Sequence, residues 1–305
     1  MNGMEVVKSV ADIHAKQDSA IALGNFDGLH IGHMEVIRAV TGHKGLRPAI
    51  FTFQDNTHRN PMLCTFEDKE TLLIQAGVEL LYTVPFAEVR SVTAETFFKK
   101  ILIEKCRAKL LSCGRDFHFG KGALGDVPML RRLCEEAGVA LRVLPYVEMG
   151  GLRVSSTRIR KALEDGDVEK ANGMLGRPFG FELEVIHGNH IGRGLGTPTI
   201  NQALPEGFIL PKFGVYASVA EVDGTAYCGV TNIGVKPTVG SDQVLSETFM
   251  PGFSGDLYGR RVRLHIYGFI RPERKFDSLQ EMKSMILKNS IEAKEIVKRY
   301  RPNCV

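Results

Sequence analysis

The segment Gly24-Asn25-Phe26-Asp27-Gly28-Leu29-His30-Ile31-Gly32-His33 separates two stretches of different periodicity. The small and apolar residues of Ser19–Leu23 predict a buried strand, and Met34–Val40 has the spacing of a helix. Glycines in such a turn let backbone N–H groups approach an anion, and the next helix offers its positive N-terminal end. The segment therefore predicts an α/β sheet that handles phosphate beyond the carboxyl end of a strand.

Strand and helix patterns alternate from this segment to about residue 150. Such alternation is typical of a doubly wound parallel sheet, a Rossmann-like fold with helices on both faces. The glycine-rich segments 24–32 and 114–125 both follow strands of this sheet. The predicted strands are Ser19–Leu23, Pro48–Phe53, Leu80–Val84, Lys109–Cys113 and Ala140–Leu144, and the further helices are Phe66–Ala76, Ala94–Lys105 and Pro128–Ala137.

The pattern changes after Gly176. Four stretches have β-type apolar content and are separated by Gly, Pro or Asn, which predicts a small antiparallel barrel or sandwich. A long helical pattern, Phe276–Tyr300, follows them. We expect two domains, residues 1–175 and 176–305. The β-type stretches are Phe181–His187, Gly214–Val222, Thr225–Ile233 and Arg261–Phe269.

Composition excludes several classes of protein. The net charge of the 305 residues is +4, and neither domain carries a basic block, which argues against nucleic-acid binding. No apolar run approaches the roughly 18 residues of a membrane span, and no signal peptide is visible. The six cysteines show neither a CxxC pair nor a zinc-ligand spacing, so we expect reduced thiols and a cytoplasmic protein.

Two loops carry residues suited to phosphate chemistry. His30 and His33 are three residues apart with Gly32 between them, so both can face one polyphosphate and donate hydrogen bonds to its α-phosphate. Further on, Arg153-Val154-Ser155-Ser156-Thr157-Arg158-Ile159-Arg160 places hydroxyls and arginines where a helix N-terminus grips phosphates. Taken singly, a histidine is more often core or surface filler, and a hydroxyl run is more often a helix cap.

Together these loops resemble the nucleotidylyltransferase superfamily, whose members have HxGH and (I/V)SSTxIR sequences. The resemblance implies attack of a phosphate oxygen on the α-phosphorus of ATP, with release of pyrophosphate and with Mg²⁺ present. The HIGH sequence also resembles class I aminoacyl-tRNA synthetases, but a KMSKS-type loop and a basic surface are missing. The resemblance assigns catalysis to His30 and His33, and ATP binding to Gly24, Asn25, Phe26, Asp27, Gly28, Ser155, Ser156, Thr157 and Arg160.

A third segment, Gly114-Arg115-Asp116-Phe117-His118-Phe119-Gly120 and its continuation to Asp126, resembles the flavin loop of prokaryotic FAD synthetases. Phe117 and Phe119 can line a flat ring site, and Asp116 can bond a polar ring edge. The alternative is a glycine-rich loop with phenylalanine anchors in the core. One departure is Phe53-Gln54-Asp55-Asn56-Thr57-His58, where the family commonly has Phe-x-Pro-His-Pro.

The second domain lacks a GxxxxGK[ST] phosphate loop. Instead, residues 188–201, GNHIGRGLGTPTIN, resemble the glycine flap and PTAN sequence of riboflavin kinases. Gly192 and Gly196 are then expected at the ATP phosphates, and Thr199 and Asn201 supply hard oxygen ligands suited to Mg²⁺. Standing alone, the segment would be more typical of a glycine-rich hairpin loop.

Downstream, Ser246-Glu247-Thr248 matches the family sequence that contains its general base, so the resemblance assigns that role to Glu247. It also places Arg271 near phosphate or flavin. The alternatives are a surface glutamate on a strand and a structural ion pair of Arg271 with Glu273 or Glu247.

The two motif sets occur in the order found in bacterial bifunctional riboflavin kinase/FAD synthetases. This resemblance implies that riboflavin and ATP give FMN in the second domain, and that FMN and ATP give FAD in the first. Another small-substrate adenylyl- or cytidylyltransferase would share the first two loops, and a non-catalytic flavin-binding protein would bind without consuming ATP. The sequence leaves the oligomeric state open.

Overall fold

The structure, a computed structural model, describes residues 3–54, 60–187, 199–238 and 241–304. The chain divides into two compact units. Unit 1 comprises the described residues of Met1–Asn60 and Phe66–Ser155, and unit 2 comprises Pro61–Thr65 and the described residues of Ser156–Val305. Contacts therefore group residues 156–175 with unit 2, and the division at residue 175 stays a prediction about function.

Unit 1 is built on a six-stranded sheet in the order β1-β4-β3-β2-β5-β6, and every pair in it is parallel. All five predicted strands are present. The edge strand β1 was not predicted, because three residues are too few to show a periodicity. The strands are β1 Glu5–Val7, β2 Ser19–Leu23, β3 Arg47–Phe53, β4 Leu80–Val84, β5 Ala108–Gly114 and β6 Ala140–Leu144.

Helices cover both faces of this sheet, as the doubly wound prediction requires. Alternate residues of β2 point to opposite faces, so Ala20 packs with Val36 of the helix Ile31–Thr41 while Ile21 packs with Phe98 and Leu130. The predicted helix Ala94–Lys105 begins as a single α-turn and continues as a π-helix, Phe97–Lys105. The α-helices of this unit are α1 Ile31–Thr41, α2 Phe66–Gln75, α3 Phe86–Val89, α4 Ala94–Thr96 and α5 Val127–Ala137, and a short hairpin pairs β7 Glu148–Met149 with β8 Leu152–Arg153.

Unit 2 contains a six-stranded antiparallel sheet in the order β10-β13-β12-β11-β14-β9. The two edges of the sheet approach each other. This is seen just after the strand Phe179–Glu184, where the Ile186 backbone N–H donates to the Asn201 carbonyl of the strand Thr199–Ala203 at 2.8 Å. The curled antiparallel architecture and the C-terminal helix agree with the predicted barrel. The elements are α6 Ser156–Asp165, α7 Val168–Leu175, β9 Phe179–Glu184, β10 Thr199–Ala203, β11 Gly214–Val222, β12 Thr225–Thr238, β13 Ser241–Phe249, β14 Arg261–Pro272 and α8 Leu279–Lys298.

Each face of this sheet has its own character. The face under α8, called the helix-side face below, buries Val215, Val230 and Phe249 against Ala293 and Val297 of the helix. The opposite, interior face carries several polar side chains that are fully buried and form hydrogen bonds inside the sheet, to backbone carbonyls or to one another. Examples are Gln202 Nε2, which donates to the Leu183 and Val262 carbonyls, and the hydroxyl chain of Ser218, Thr231 and Thr248.

A short stretch of the N-terminal half also belongs to unit 2. Met62 pairs with Phe208 in parallel, the Met62 N–H donating to the Gly207 carbonyl and the Ile209 N–H to the Met62 carbonyl. All six cysteines are buried free thiols. Within the described ranges, no helix has the length and apolar character needed to cross a bilayer.

Candidate active sites

The loop after β2 is held in an unusual backbone conformation. Phe26, Gly28 and Leu29 all have positive φ angles, of 48°, 78° and 44°. The left-handed region is strained for residues other than glycine. The side chains of Phe26 and Leu29 are buried, and the free energy of burying them offsets this strain. A Cβ on Gly24 would lie 3.1 Å from the Phe26 ring, so the glycine makes room for this buried side chain.

Neighbouring residues tie the same loop to the sheet. The Thr52 hydroxyl and the Lys69 ammonium donate to the Asn25 carbonyl at 3.1 and 3.4 Å. The Gly24 N–H donates to the Phe51 carbonyl at 3.4 Å. Asn25 is exposed and Asp27 is half-buried at this edge. The predicted residues Gly24 to Gly28 thus form one ordered turn at the carboxyl ends of β2 and β3.

His30 is the N-cap of α1. Its Nδ1 accepts the backbone N–H of His33 at 3.2 Å, which leaves Nε2 as the protonated ring nitrogen of neutral His30. The two imidazoles stack with centroids 3.6 Å apart, and the Phe26 ring meets His33 edge-on at 5.4 Å. The structure therefore brings the two predicted histidines together at a positive helix end.

Gly32 allows this stack. A Cβ at position 32 would lie 3.3 Å from both Cε1 and Nδ1 of His30, closer than side chains ordinarily pack. An alanine at position 32 would require the His30 ring to shift by a few tenths of an ångström. Glycine lets the ring keep its position, so the motif has a steric reason as well as a chemical one.

The predicted flavin-side residue Asp116 lies in a cluster of charged and aromatic side chains. Its carboxylate forms an ion pair with Arg153, the first residue of segment 153–160, which is called the serine loop below. The Arg153 guanidinium lies 3.9 Å from the Tyr146 ring centroid, and Arg115 lies 5.2 Å from the same ring. Asp116 and Arg153 are both about half exposed, so the cluster is open to a ligand. Sequence reasoning missed Tyr146, since no motif marks it.

Phe117 and Phe119 stack at 5.7 Å but differ in exposure. Phe119 is buried in the core cluster that contains Phe97, whereas Phe117 is half-buried at its edge. Phe119 is therefore a core anchor, which is the alternative given above for the phenylalanines of this loop. Phe117 is the ring that keeps an accessible side. The Asp126 side chain caps α5 by accepting the Met129 N–H at 2.9 Å, so this end of the motif is structural.

The serine loop spans the division between the two units. Ser155 is the last residue of unit 1, and Ser156 and Thr157 open α6 in unit 2. Ser156 is half-buried and Thr157 is exposed. Arg160 lies one turn further along α6, and its Nε donates to the Pro61 carbonyl at 2.7 Å. The hydroxyls are therefore at a helix start, as the sequence predicts.

In unit 2, strand register collects the predicted kinase residues on the helix-side face. Glu247 of β13 lies directly opposite Asn201 of β10 and opposite Asn232 of β12. Thr199 is two residues from Asn201 on the same strand and therefore shares its face. The amide of Asn232 donates to Glu273 at 2.8 Å. Sequence reasoning missed Asn232 and Glu273, whose proximity depends on pairing between strands.

One atom of this group suits a metal ion. Asn201 is buried, and its Oδ1 has no hydrogen-bond partner within the residues that the structure describes. A buried amide oxygen without a donor, beside a carboxylate and a threonine hydroxyl, is the kind of hard-oxygen set that Mg²⁺ prefers. Thr199 and Asn201 thus fit the predicted metal position. Gly192 and Gly196 lie outside the described residues.

A cavity of about 210 Å³ lies between the helix-side face and α8. Glu247, Asn232 and Arg271 line it from the strands, and Arg271 donates from Nη1 to the Pro272 carbonyl at 2.9 Å. Burial lowers the pKa of Arg271. Phe276 also lines the cavity, with the Arg271 and Arg274 guanidinium groups 5.6 and 4.7 Å from its ring. The lining residues from α8, which the sequence did not indicate, are Met282, Ile286 and Asn289.

Two family models match separate parts of the chain. The FAD synthetase family model matches residues 12–158, and the riboflavin kinase family model matches residues 175–297. A crystal structure described as a macrolide-efflux protein from Streptococcus pneumoniae superimposes with a TM-score of 0.84 at 30% identity, covering 95% of this chain and 97% of that chain.

Curated relatives match along almost the whole chain and are named bifunctional riboflavin kinase/FMN adenylyltransferase. The protein of Bacillus subtilis is 36% identical over 290 residues, which cover 90% of this chain and 91% of its own length. Those of Pseudomonas fluorescens and Escherichia coli K12 are 34% and 32% identical, covering 93% and 98% of this chain and 94% and 100% of their own lengths. With both family models in this order and relatives of matching length, the chain belongs to the bifunctional riboflavin kinase/FMN adenylyltransferase family.

Proposed function

We propose that the two reactions of this family are divided between residues 1–175, which convert FMN and ATP to FAD and pyrophosphate, and residues 176–305, which convert riboflavin and ATP to FMN and ADP. The observation that supports the kinase assignment best is the register of Asn201, Glu247 and Asn232 beside the cavity under α8. A carboxylate fixed next to a concave, partly apolar space suits proton abstraction from a bound hydroxyl.

In the kinase reaction, the flavin occupies the cavity and its terminal ribityl hydroxyl faces Glu247. Glu247 accepts the hydroxyl proton while the oxygen bonds to the γ-phosphorus of ATP and the bond to the β-phosphate oxygen breaks. Arg271 contributes positive charge on the flavin or phosphate side of the cavity. Gly192 and Gly196 belong to the glycine segment that we expect to cover the phosphates.

Enzymes of this family use ATP and typically a divalent metal ion. We infer that the metal is Mg²⁺ and that Thr199 and Asn201 hold it in the kinase unit, which the buried Asn201 Oδ1 supports. The ion would neutralise charge on the phosphates of ATP. Thr199 and Asn201 also position the nucleotide relative to Glu247.

In the adenylylation, a phosphate oxygen of FMN bonds to the α-phosphorus of ATP and pyrophosphate leaves. His30 and His33 stabilise the charge that develops on the α-phosphate, His30 through its Nε2–H. The turn Gly24-Asn25-Phe26-Asp27-Gly28 surrounds the nucleotide. Ser155, Ser156, Thr157 and Arg160 bind the phosphates of ATP. Asp116 and Phe117 form the flavin side, and Phe119 supports the Phe117 ring from the core.

The partners of the chain are then small molecules, namely riboflavin, FMN and ATP. The buried free thiols suit a reducing compartment, and the cytoplasm is the proposed location.

The test is to incubate the pure protein with riboflavin, ATP and Mg²⁺ and to separate the flavins by chromatography. We expect FMN and then FAD. His33→Ala should abolish FAD formation from FMN and leave FMN formation from riboflavin intact, and Glu247→Gln should do the reverse. If the wild type forms FMN but no FAD, the assignment of adenylyltransferase activity is refuted. Loss of both reactions in either folded variant would contradict the division of labour, and flavin binding without ATP consumption would show a non-catalytic protein.

A further inference from the structure

Asn289 is a buried polar residue on α8 that the proposed mechanism does not use. Only 3% of its surface is exposed, and it lines the same cavity as Glu247 and Arg271. Asparagine is a poor residue for the interior of a helix unless its amide has a specific partner. The hydrogen-bond network orients the Asn289 amide with its oxygen toward Arg271, 3.1 Å from both Nε and Nη2.

The Arg271 guanidinium is therefore held from two sides. Asn289 Oδ1 accepts from Nε and Nη2, and the Pro272 carbonyl accepts from Nη1 at 2.9 Å. Each of the three nitrogens has an acceptor, and none of these acceptors carries a charge. The guanidinium is thus fixed in orientation while its positive charge stays uncompensated by these contacts.

An unfixed arginine at this position would have other partners. Glu247 and Glu273 line the same cavity, and a charge-assisted bond to a carboxylate is stronger than a bond to a neutral acceptor, so a released guanidinium would pair with one of them. An ion pair with Glu247 would occupy the carboxylate oxygens that the proposed reaction needs for the substrate hydroxyl, and it would take the guanidinium away from the substrate.

We propose that Asn289 is a positioning residue of the kinase site, which holds the Arg271 guanidinium toward the substrate and away from the Glu247 carboxylate. A neutral amide does this without neutralising the cation. This inference rests on the proposed role of the cavity as the riboflavin kinase site.

The test is a double-mutant cycle on the full-length protein, read as kcat and KM for riboflavin phosphorylation. Asn289→Ala should lower kcat/KM about tenfold, mainly through kcat, because the released guanidinium moves away from the substrate and pairs with a cavity carboxylate. In an Arg271→Gln background the same substitution should change kcat/KM less than twofold, since its effect passes through Arg271. Asn289→Asp keeps an oxygen acceptor but adds a negative charge that neutralises the guanidinium, so it should also lower kcat/KM, by about fivefold or more.

FAD formation from FMN, measured on each protein, reports whether the chain has folded, because Asn289 has no part in the adenylylation. An equal loss from Asn289→Ala with and without Arg271 would overturn the proposal and leave Asn289 a packing residue. An Asn289→Asp enzyme with the kcat/KM of the wild type would also overturn it, because the acceptor would then not need to be neutral. A wild type without riboflavin kinase activity would instead refute the proposed function, so the two failures are distinguishable.

Discussion

The imidazole rings of His30 and His33 stack at 3.6 Å, and the backbone N–H of His33 donates to Nδ1 of His30. One side chain thus caps a helix through one ring nitrogen and keeps the other, Nε2, as a donor. Structural and chemical roles of His30 are therefore carried by different atoms, and substitutions can separate them.

His30→Asn should separate the two roles. Asparagine is a good N-cap, so the free energy of unfolding should change by less than about 0.5 kcal/mol, whereas His30→Ala should lose about 1 kcal/mol. Both variants lack the Nε2–H, and FAD formation should fall about 10²-fold or more in each. Urea denaturation and FMN turnover measure the two effects. An active His30→Asn enzyme would show that the ring is not needed for catalysis.

Gly32→Ala should lower FAD formation without lowering stability. The new Cβ would lie 3.3 Å from the His30 ring and displace it, and we expect a loss of about tenfold, or ~1.4 kcal/mol of transition-state stabilisation. Alanine favours a helix by up to about 1 kcal/mol, so the melting temperature should hold or rise. Gly3→Ala is the matched control, because nothing lies within 4 Å of its Cβ. Unchanged adenylylation in Gly32→Ala would refute the steric account.

Asp116→Ala should raise the KM for FMN in the adenylylation by about tenfold, the value of one lost hydrogen bond to the ring. The ion pair that it removes is half exposed, so stability should change by less than about 1 kcal/mol. Glu136→Ala, which removes the exposed pair with Arg132 in the same unit, serves as control. If both variants have the same KM as the wild type, Asp116 does not contact FMN.

Acidification should destabilise unit 2 through His265. Burial lowers the pKa of this imidazole, although Glu221, 3.2 Å from its Nε2, opposes the shift. The unfolded chain then binds the proton more readily, so the free energy of unfolding falls as the pH drops below the usual histidine value of 6.5.

Glu221 adds a second loss at lower pH. Burial raises its pKa, but the hydrogen bond from Arg301 and the neighbouring His265 outweigh burial, and the net pKa is lowered. The stability that this carboxylate contributes is present above its usual value of 4.5 and is lost as the pH falls through the lower, folded value.

Urea unfolding followed by circular dichroism at about pH 7.5 and about pH 5.5 checks the histidine effect. His265→Gln should flatten the pH dependence between these two values, and His14→Gln, on the exposed surface of unit 1, should not. If the free energy of unfolding changes equally with pH in all three proteins, groups other than His265 cause the acid sensitivity.

The local sequence pattern was sufficient to predict most strands and helices of unit 1 and the positions of the motif loops. Strands such as Ser19–Leu23 are continuous apolar runs because both of their faces are buried, and the turn at Gly24–Gly28 is marked by its glycines. The sequence also placed His30 and His33 together, since three residues separate them on the first turn of a helix. These features depend on neighbours in the chain, which periodicity reports.

The sequence pattern did not predict strands β10 and β13, although these strands carry Asn201 and Glu247. Their interior positions include Gln202, Ser246 and Thr248, which are buried but polar because they bond to carbonyls and hydroxyls inside the sheet. Polar residues therefore lie on the buried face, and the alternation that identifies a half-buried strand is lost.

The sequence by itself determined the order of the elements, the two phosphate-handling loops and the residue types needed for each reaction. Only the tertiary structure decided that Glu247 faces Asn201 and Asn232, and that Asn289 accepts from Arg271, eighteen residues earlier on another element. The physical reason is that strand register and helix docking are set by the summed packing of a whole face, which no short window of sequence contains.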